Sequence, residues 1–263
     1  MIGNNRKIHN FIIKALSSFI IIPKYRRLFR NKYIIKKYGI TPAVKGYEIN
    51  GCDNKIIVVE NGSERLLQPG ERIDELDIAI TGNNNTIKLH LPIRALSSSI
   101  NILNDNCNID IGSTYCFRKV EIVCRLGDSQ SLVMGGGTNI IGAEIILEEK
   151  SRIEIGENCL FSSKILVRSS DGHSVLDQQT GKVINETADL IKIGNHVWIG
   201  TEVMILKNSM VADNSIIAAR CVVTKKFTEQ NIVLAGVPAK IVKQGVNWRI
   251  ENPWMLENGK FLE

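Results

Sequence analysis

IGNHVW, IGTEVM, ILKNSM, VADNSI, IAARCV, VTKKFT: written in sixes, residues 193–228 decide the fold. An aliphatic residue heads every block: Ile193, Ile199, Ile205, Val211, Ile217 and Val223. A small or apolar residue stands four places later in Val197, Val203, Ser209, Ser215 and Cys221. A helix repeats its apolar face every ~3.6 residues and a strand every ~2, so neither explains a period of six. Short straight segments with a sharp bend after each one do explain it. Three bends close a triangular coil of roughly 18 residues, and stacked coils bury the stripe that one coil leaves open. The head residue is expected to point inward, and the residue four places on to fill a corner. The residue after the head (Gly194, Gly200, Ala212, Ala218) is expected to sit at the bend itself.

The register extends backward from this block. Ile155, Phe161 and Val167 are spaced by six, and IDIGSTYCF (109–117) matches IEIGENCLF (153–161). Residues 47–108 have an irregular period, with turn chemistry at Asn61-Gly62 and at residues 82–85. They are expected to form wider coils continuous with the later ones. The glycines at 135–137 have no following lysine or helix pattern, so they read as a turn and not as a phosphate loop. Residues 236–240, GVPAK, are expected to end the solenoid, and residues 241–263 to cap its last edge. The predicted architecture is an all-β solenoid over 47–240, with an N-terminal helical segment over 1–46 and a short C-terminal cap.

Residues 1–46 are basic. The stretch to residue 47 holds no Asp, no Glu, and eleven Lys or Arg among apolar runs such as Phe11, Ile12, Ile13, Leu16 and Phe19. The apolar run is too short to span a membrane and contains Lys14. Two readings stay open: an amphipathic helix on an anionic membrane surface, or a helical cap or subunit contact. Nucleic-acid binding is disfavoured, because few aromatics interleave with the basic residues. The net charge of +6 owes most of its excess to this segment. Six cysteines (52, 107, 116, 124, 159, 221) form no CxxC pair and read as reduced residues of a cytoplasmic protein.

The repeat fails once. Ile155 and Ile193 are 38 residues apart, not a multiple of six, and the interruption at 168–189 is polar, with Asp171, His173, Asp177 and Asn185. A long loop on a regular scaffold is a usual place for function. His173 is the leading candidate there, since an ordinary imidazole titrates near neutrality and can both take and return a proton. Either Asp171 or Asp177 is a candidate to orient its ring. His196 lies inside a repeat and reads as an outward surface residue.

The words SSDGHSVLD, IKIGNHVWIG, VMILKN, IIAARCVVTK and VLAGVPAKIVK, in that order, resemble the hexapeptide-repeat acyltransferases, and most nearly the O-acetyltransferases of bacterial surface polysaccharides and sugars. The resemblance covers residues 153–243. It implies left-handed coils, against the usual right-handed crossover preference. It also implies a homotrimer with sites between neighbouring chains, and acetyl-CoA as donor to a carbohydrate hydroxyl. It makes His173 the base and places Trp198 beside the acyl group. Gly200, Ala218 and Ala219 fall along the pantetheine arm, Lys225 and Lys226 near the nucleotide phosphates, and Pro238 and Lys240 near the adenine end. The zinc-binding γ-type carbonic anhydrases share the solenoid, but only His173 and His196 lie in the regular region, so no metal is expected. A non-enzymatic scaffold has no need of the polar interruption. An N-acetyltransferase of an amino or nucleotide sugar needs much the same site and stays the alternative. No Ser or Cys stands in an activated nucleophile motif, which favours direct transfer.

Overall fold

The computed structural model describes residues 46–259 apart from Pro69, so the expected N-terminal helical segment lies outside the described residues. Three parallel sheets run the length of the solenoid, and successive strands go to successive sheets. The first sheet runs from Tyr47–Asn50 to Val222–Val223, the second from Lys55–Glu60 to Lys226–Phe227, and the third from Ile93–Leu96 to Ile232–Ala235. Each strand hydrogen-bonds to the strand one full turn of the coil away, which makes a three-sided parallel β-helix.

The inward positions follow the sequence pattern. All six block heads from Ile193 to Val223 are buried, as are Val197, Val203, Ser209, Ser215 and Cys221. Heads stack on heads: Ile193 pairs with Val211, and Ile199 with Ile217, each eighteen residues on. The irregular early stretch forms larger coils, with Ile78 beside Ile100 and Ile100 beside Ile122, each twenty-two residues on, and with one shift of register in the third sheet between Ile93 and Ala95.

The bend is not where the sequence pattern put it. The left-handed residue is the fourth of each block: Asn158, His196, Glu202, Asn208, Asn214 and Arg220 have φ between 53° and 62°. The glycine after the head has another purpose. A Cβ on Gly194 would lie 2.2 Å from Asp213 Oδ1, and one on Gly200 would lie 2.6 Å from the Ala219 nitrogen. Close approach of adjacent coils, and not a left-handed φ, excludes side chains there.

Both ends carry an antiparallel strand. At the start of the second sheet, Ser63–Leu66 folds back on Lys55–Glu60 through Asn61-Gly62, both with positive φ, as a two-residue hairpin turn requires. At the far end, Lys240–Gln244 pairs with Ile232–Ala235 and covers the last strand of the third sheet. The chain then turns back along one edge of the prism. Val246 exchanges backbone and side-chain hydrogen bonds with Asn231, and the Trp248 indole donates to the His196 carbonyl two coils earlier. A short helix, Pro253–Glu257, follows.

Candidate active site

The polar interruption leaves the solenoid at an edge between the first and second sheets. It follows strand Ile165–Arg168 and returns at Leu190–Ile193, and Ile155 pairs with Ile193 across it as though it were absent. Its base is fixed by the preceding coil. One Glu149 carboxylate oxygen accepts from the Ser170 hydroxyl and the other from the Ala188 amide at 2.7 Å, so one side chain ties both legs. Beside it, the buried Glu148 carboxylate accepts from Arg125 and Arg168 on flanking coils, both at 3.0 Å. A buried carboxylate persists only with such partners.

Within the loop, Leu176 and Val183 form an antiparallel bridge, and Val175, Leu176, Val183 and Ile184 are each more than half exposed. Asp177 closes the tip: its carboxylate accepts from the Gln179 amide and from the Thr180 amide and hydroxyl. These bonds, the Thr180 hydroxyl foremost, hold its carboxyl below the usual aspartate range. Asp177 is thus a turn residue here and does not orient His173. Asp171 does not reach the His173 ring either. Its Oδ2 accepts from the Asn185 amide at 2.9 Å and from the Lys207 ammonium at 2.6 Å. Asn185 first, then Lys207, holds the Asp171 carboxyl below its ordinary range. The stabilisation is therefore present above the ordinary aspartate pKa and is lost as pH falls through the lowered one. The His173 side chain is exposed, and its ring makes no hydrogen bond or ion pair with the described residues of this chain.

The other candidate residues lie in two places. Lys225 and Lys226 share the loop's edge of the prism. With Asp171, Glu186, Lys207 and Asn208 they line a cavity of about 510 Å³. Gly200, Ala218, Ala219 and Pro238 stand on successive coils at the edge between the third and first sheets, and Lys240 follows them. Trp198 projects from the third sheet, 39% exposed, one coil above Leu160. The first sheet separates these two groups within one chain.

Three contributors were not assigned from the sequence. Lys207 and Asn208 belong to the VMILKN word, to which the resemblance gives no role. Asn208 binds Glu186, Thr187 and Asp189 in the returning leg of the loop. Trp248 comes from the tail. It stacks on His196 with ring centroids 4.2 Å apart and lies 6.2 Å from Trp198. His196 is therefore not a bare surface residue: it is half-buried under an indole, and its Nδ1 lies 3.2 Å from Asn214 Oδ1. Tail and coils enclose a second cavity of about 580 Å³, lined by Asn139, Asn158, Cys159, His196, Trp248 and Arg249 among others.

Known proteins are similar to this chain in fold and in sequence. The family described as Bacterial transferase hexapeptide (six repeats) matches residues 191–225. A polysialic acid O-acetyltransferase of Neisseria meningitidis is 34% identical over 171 residues, covering 65% of this chain and 78% of that enzyme. One from Escherichia coli O1:K1 / APEC is 35% identical over 130 residues, covering 49% of this chain and 41% of that enzyme. The crystal structure of the polysialic acid O-acetyltransferase OatWY superposes with a TM-score of 0.63 at 29% identity, covering 81% of this chain and 96% of that one. That of the polySia specific acetyltransferase NeuO gives 0.64 at 24% identity, covering 79% and 90%, a likeness of fold alone. The chain belongs to the hexapeptide-repeat acetyltransferases and is an O-acetyltransferase of that family. Among the described residues no helix is long and apolar enough to cross a membrane.

Proposed function

We propose that this enzyme moves the acetyl group of acetyl-CoA to a hydroxyl of an acidic bacterial surface polysaccharide, with polysialic acid as the first acceptor to try. The likeness to the meningococcal enzyme over 78% of its length carries the acceptor class. The His173 imidazole takes the proton of the acceptor hydroxyl as its oxygen attacks the thioester carbonyl. The C–O bond forms, the C–S bond breaks, and the imidazolium returns the proton to the departing thiolate. No acyl-enzyme is formed. Burial pushes the Cys159 thiol up to about 11, so it is a poor source of thiolate. Trp198 packs beside the acyl group. Gly200, Ala218 and Ala219 present backbone to the pantetheine arm, Lys225 and Lys226 meet the phosphates, and Pro238 with Lys240 meets the adenine end.

The site is completed by assembly. Its two groups of residues occupy different edges of one prism, and a homotrimer of left-handed coils sets one chain's loop against a neighbour's Ala218 edge. The exposed apolar tip of the loop supports a protein partner there. The enzyme is placed in the cytoplasm. Residues 1–46 are its contact with an anionic membrane or with another subunit.

The assembly test is size and donor binding together. Light scattering at micromolar concentration should give a trimer. Free CoA at about a hundred times its Kd should stabilise it by about 2.7 kcal/mol, the linkage value for one site. A monomer that CoA stabilises normally contradicts the shared site. The activity itself is tested by release of CoA thiol from acetyl-CoA, which should depend on added polysialic acid and not on a neutral glucan.

A further inference from the structure

Asn185 stands in for a missing strand. Its side-chain oxygen accepts from the Val175 amide at 2.9 Å, and its Nδ2 donates to the His173 carbonyl at 3.0 Å. A side-chain amide thus pairs with the backbone on both sides of residue 174, as a neighbouring peptide would in a sheet. The second hydrogen of the same Nδ2 goes to Asp171 Oδ2. Asp171 is held in turn by Lys207, which comes from the next coil and not from the loop. The Lys207 side chain is only 19% exposed, and its ammonium also donates to the Glu186 carbonyl at 2.7 Å. A rigid coil is therefore wired to the outgoing leg at Asp171, to the returning leg at Glu186, and through Asn185 to the main chain of His173.

We propose that Lys207, Asp171 and Asn185 are positioning residues that fix the backbone of His173 against the solenoid and leave its ring free for the acceptor. The inference rests on His173 being the base. It gives Asp171 a different role from that of a triad aspartate, which binds the imidazole itself. A partly exposed ion pair adds little stability, so the consequence is geometric: a misplacement of about 1 Å can cost ~10²-fold in rate.

The test separates turnover from binding in the full-length enzyme. Asn185→Ala should lower kcat by about 10–100-fold and leave the KM for acetyl-CoA within about twofold, the pattern of an interaction realised in the transition state. Lys207→Met should lower kcat by about tenfold in the same way. Lys207→Arg, which keeps a cation with several donors, should recover most of that loss. Asp171→Asn keeps an oxygen for the Asn185 amide, so it should cost less than Asn185→Ala. A triad-like aspartate would instead cost about 10⁴-fold on the same change. The proposal is overturned if Asn185→Ala turns over within twofold of the native enzyme while His173→Ala is inactive. It is also overturned if Lys207→Met raises the KM for acetyl-CoA at unchanged kcat, which makes Lys207 a donor-binding lysine. If Asn185→Ala does not fold, Lys207→Met and Lys207→Arg decide alone. An active His173→Ala removes the base assignment beneath the proposal, and is read separately.

Discussion

His173→Ala should lower turnover by about 10²–10⁴-fold, the usual contribution of a general base. The loop geometry makes the expectation specific. Asn185 holds the His173 main chain at its carbonyl, and no side chain of the described residues holds the ring. Removing the ring therefore deletes a proton acceptor and leaves the hydrogen bonds of the loop in place. Binding of CoA should be nearly unchanged, because the proposed donor contacts lie on the coils and at Lys225 and Lys226. His173→Asn keeps polarity but cannot take the proton, so it should be about as poor. The control needs care. His196 supports Trp248 by stacking, so its removal disturbs the tail. His90 is the better control, since its Nε2 meets Asp110 on early coils of the second sheet, away from the loop. The measurement is kcat at saturating acetyl-CoA with assembly checked by size. Near-native turnover by a folded His173→Ala places the base elsewhere.

Phe161→Ala should produce one of the largest losses of stability among single truncations of the repeat core. Phe161 is fully buried and is stacked in register between Ile140 and Ile199 of the adjacent coils. Truncating a buried phenylalanine costs about 3–5 kcal/mol, the transfer term plus the cavity left behind. A parallel stack relaxes little into such a gap, because each strand is bonded on both sides. At roughly 2–4 °C per kcal/mol for a chain of this size, the melting temperature should fall by about 10 °C. Tyr115, 75% exposed on the same sheet two coils earlier, gives the contrast. Tyr115→Ala should stay within about 0.5 kcal/mol of the native protein. Both are read by thermal unfolding at one protein concentration, since assembly contributes to apparent stability. Equal melting temperatures for the two variants would mean that the stacked aromatic is not part of the cooperative core.

What the sequence made legible is what one-sided burial forces on it. Ile193, Ile199 and Ile205 must all face inward, and so must Val197 and Val203, which leaves a period that no helix or flat strand can carry. The interruption at 168–189 was visible for the same reason, as a break in a period. The bend was not visible. Asn, His, Glu and Arg all occupy its left-handed position, so no residue type marks it. Glycine after the head drew attention to the wrong place, because its cause is the neighbouring coil, eighteen residues away in the chain. The roles of Asp171 and Asp177 were equally hidden. One closes a local turn, and the other meets a lysine 36 positions later, a difference that depends on which coil lies beneath the loop. The place of Trp248 is not legible either, because a tail without periodicity carries no signal of where it returns.

Transfer of acetyl from acetyl-CoA to a glycan hydroxyl is tested most directly by its product. Polysialic acid incubated with the purified enzyme and labelled acetyl-CoA should gain label in proportion to CoA released. The label should be lost on treatment with hydroxylamine, as an ester is and an amide is not. Label that survives hydroxylamine would show N-acetylation and contradict the assignment. Release of CoA with no label on any acidic glycan would contradict the acceptor class.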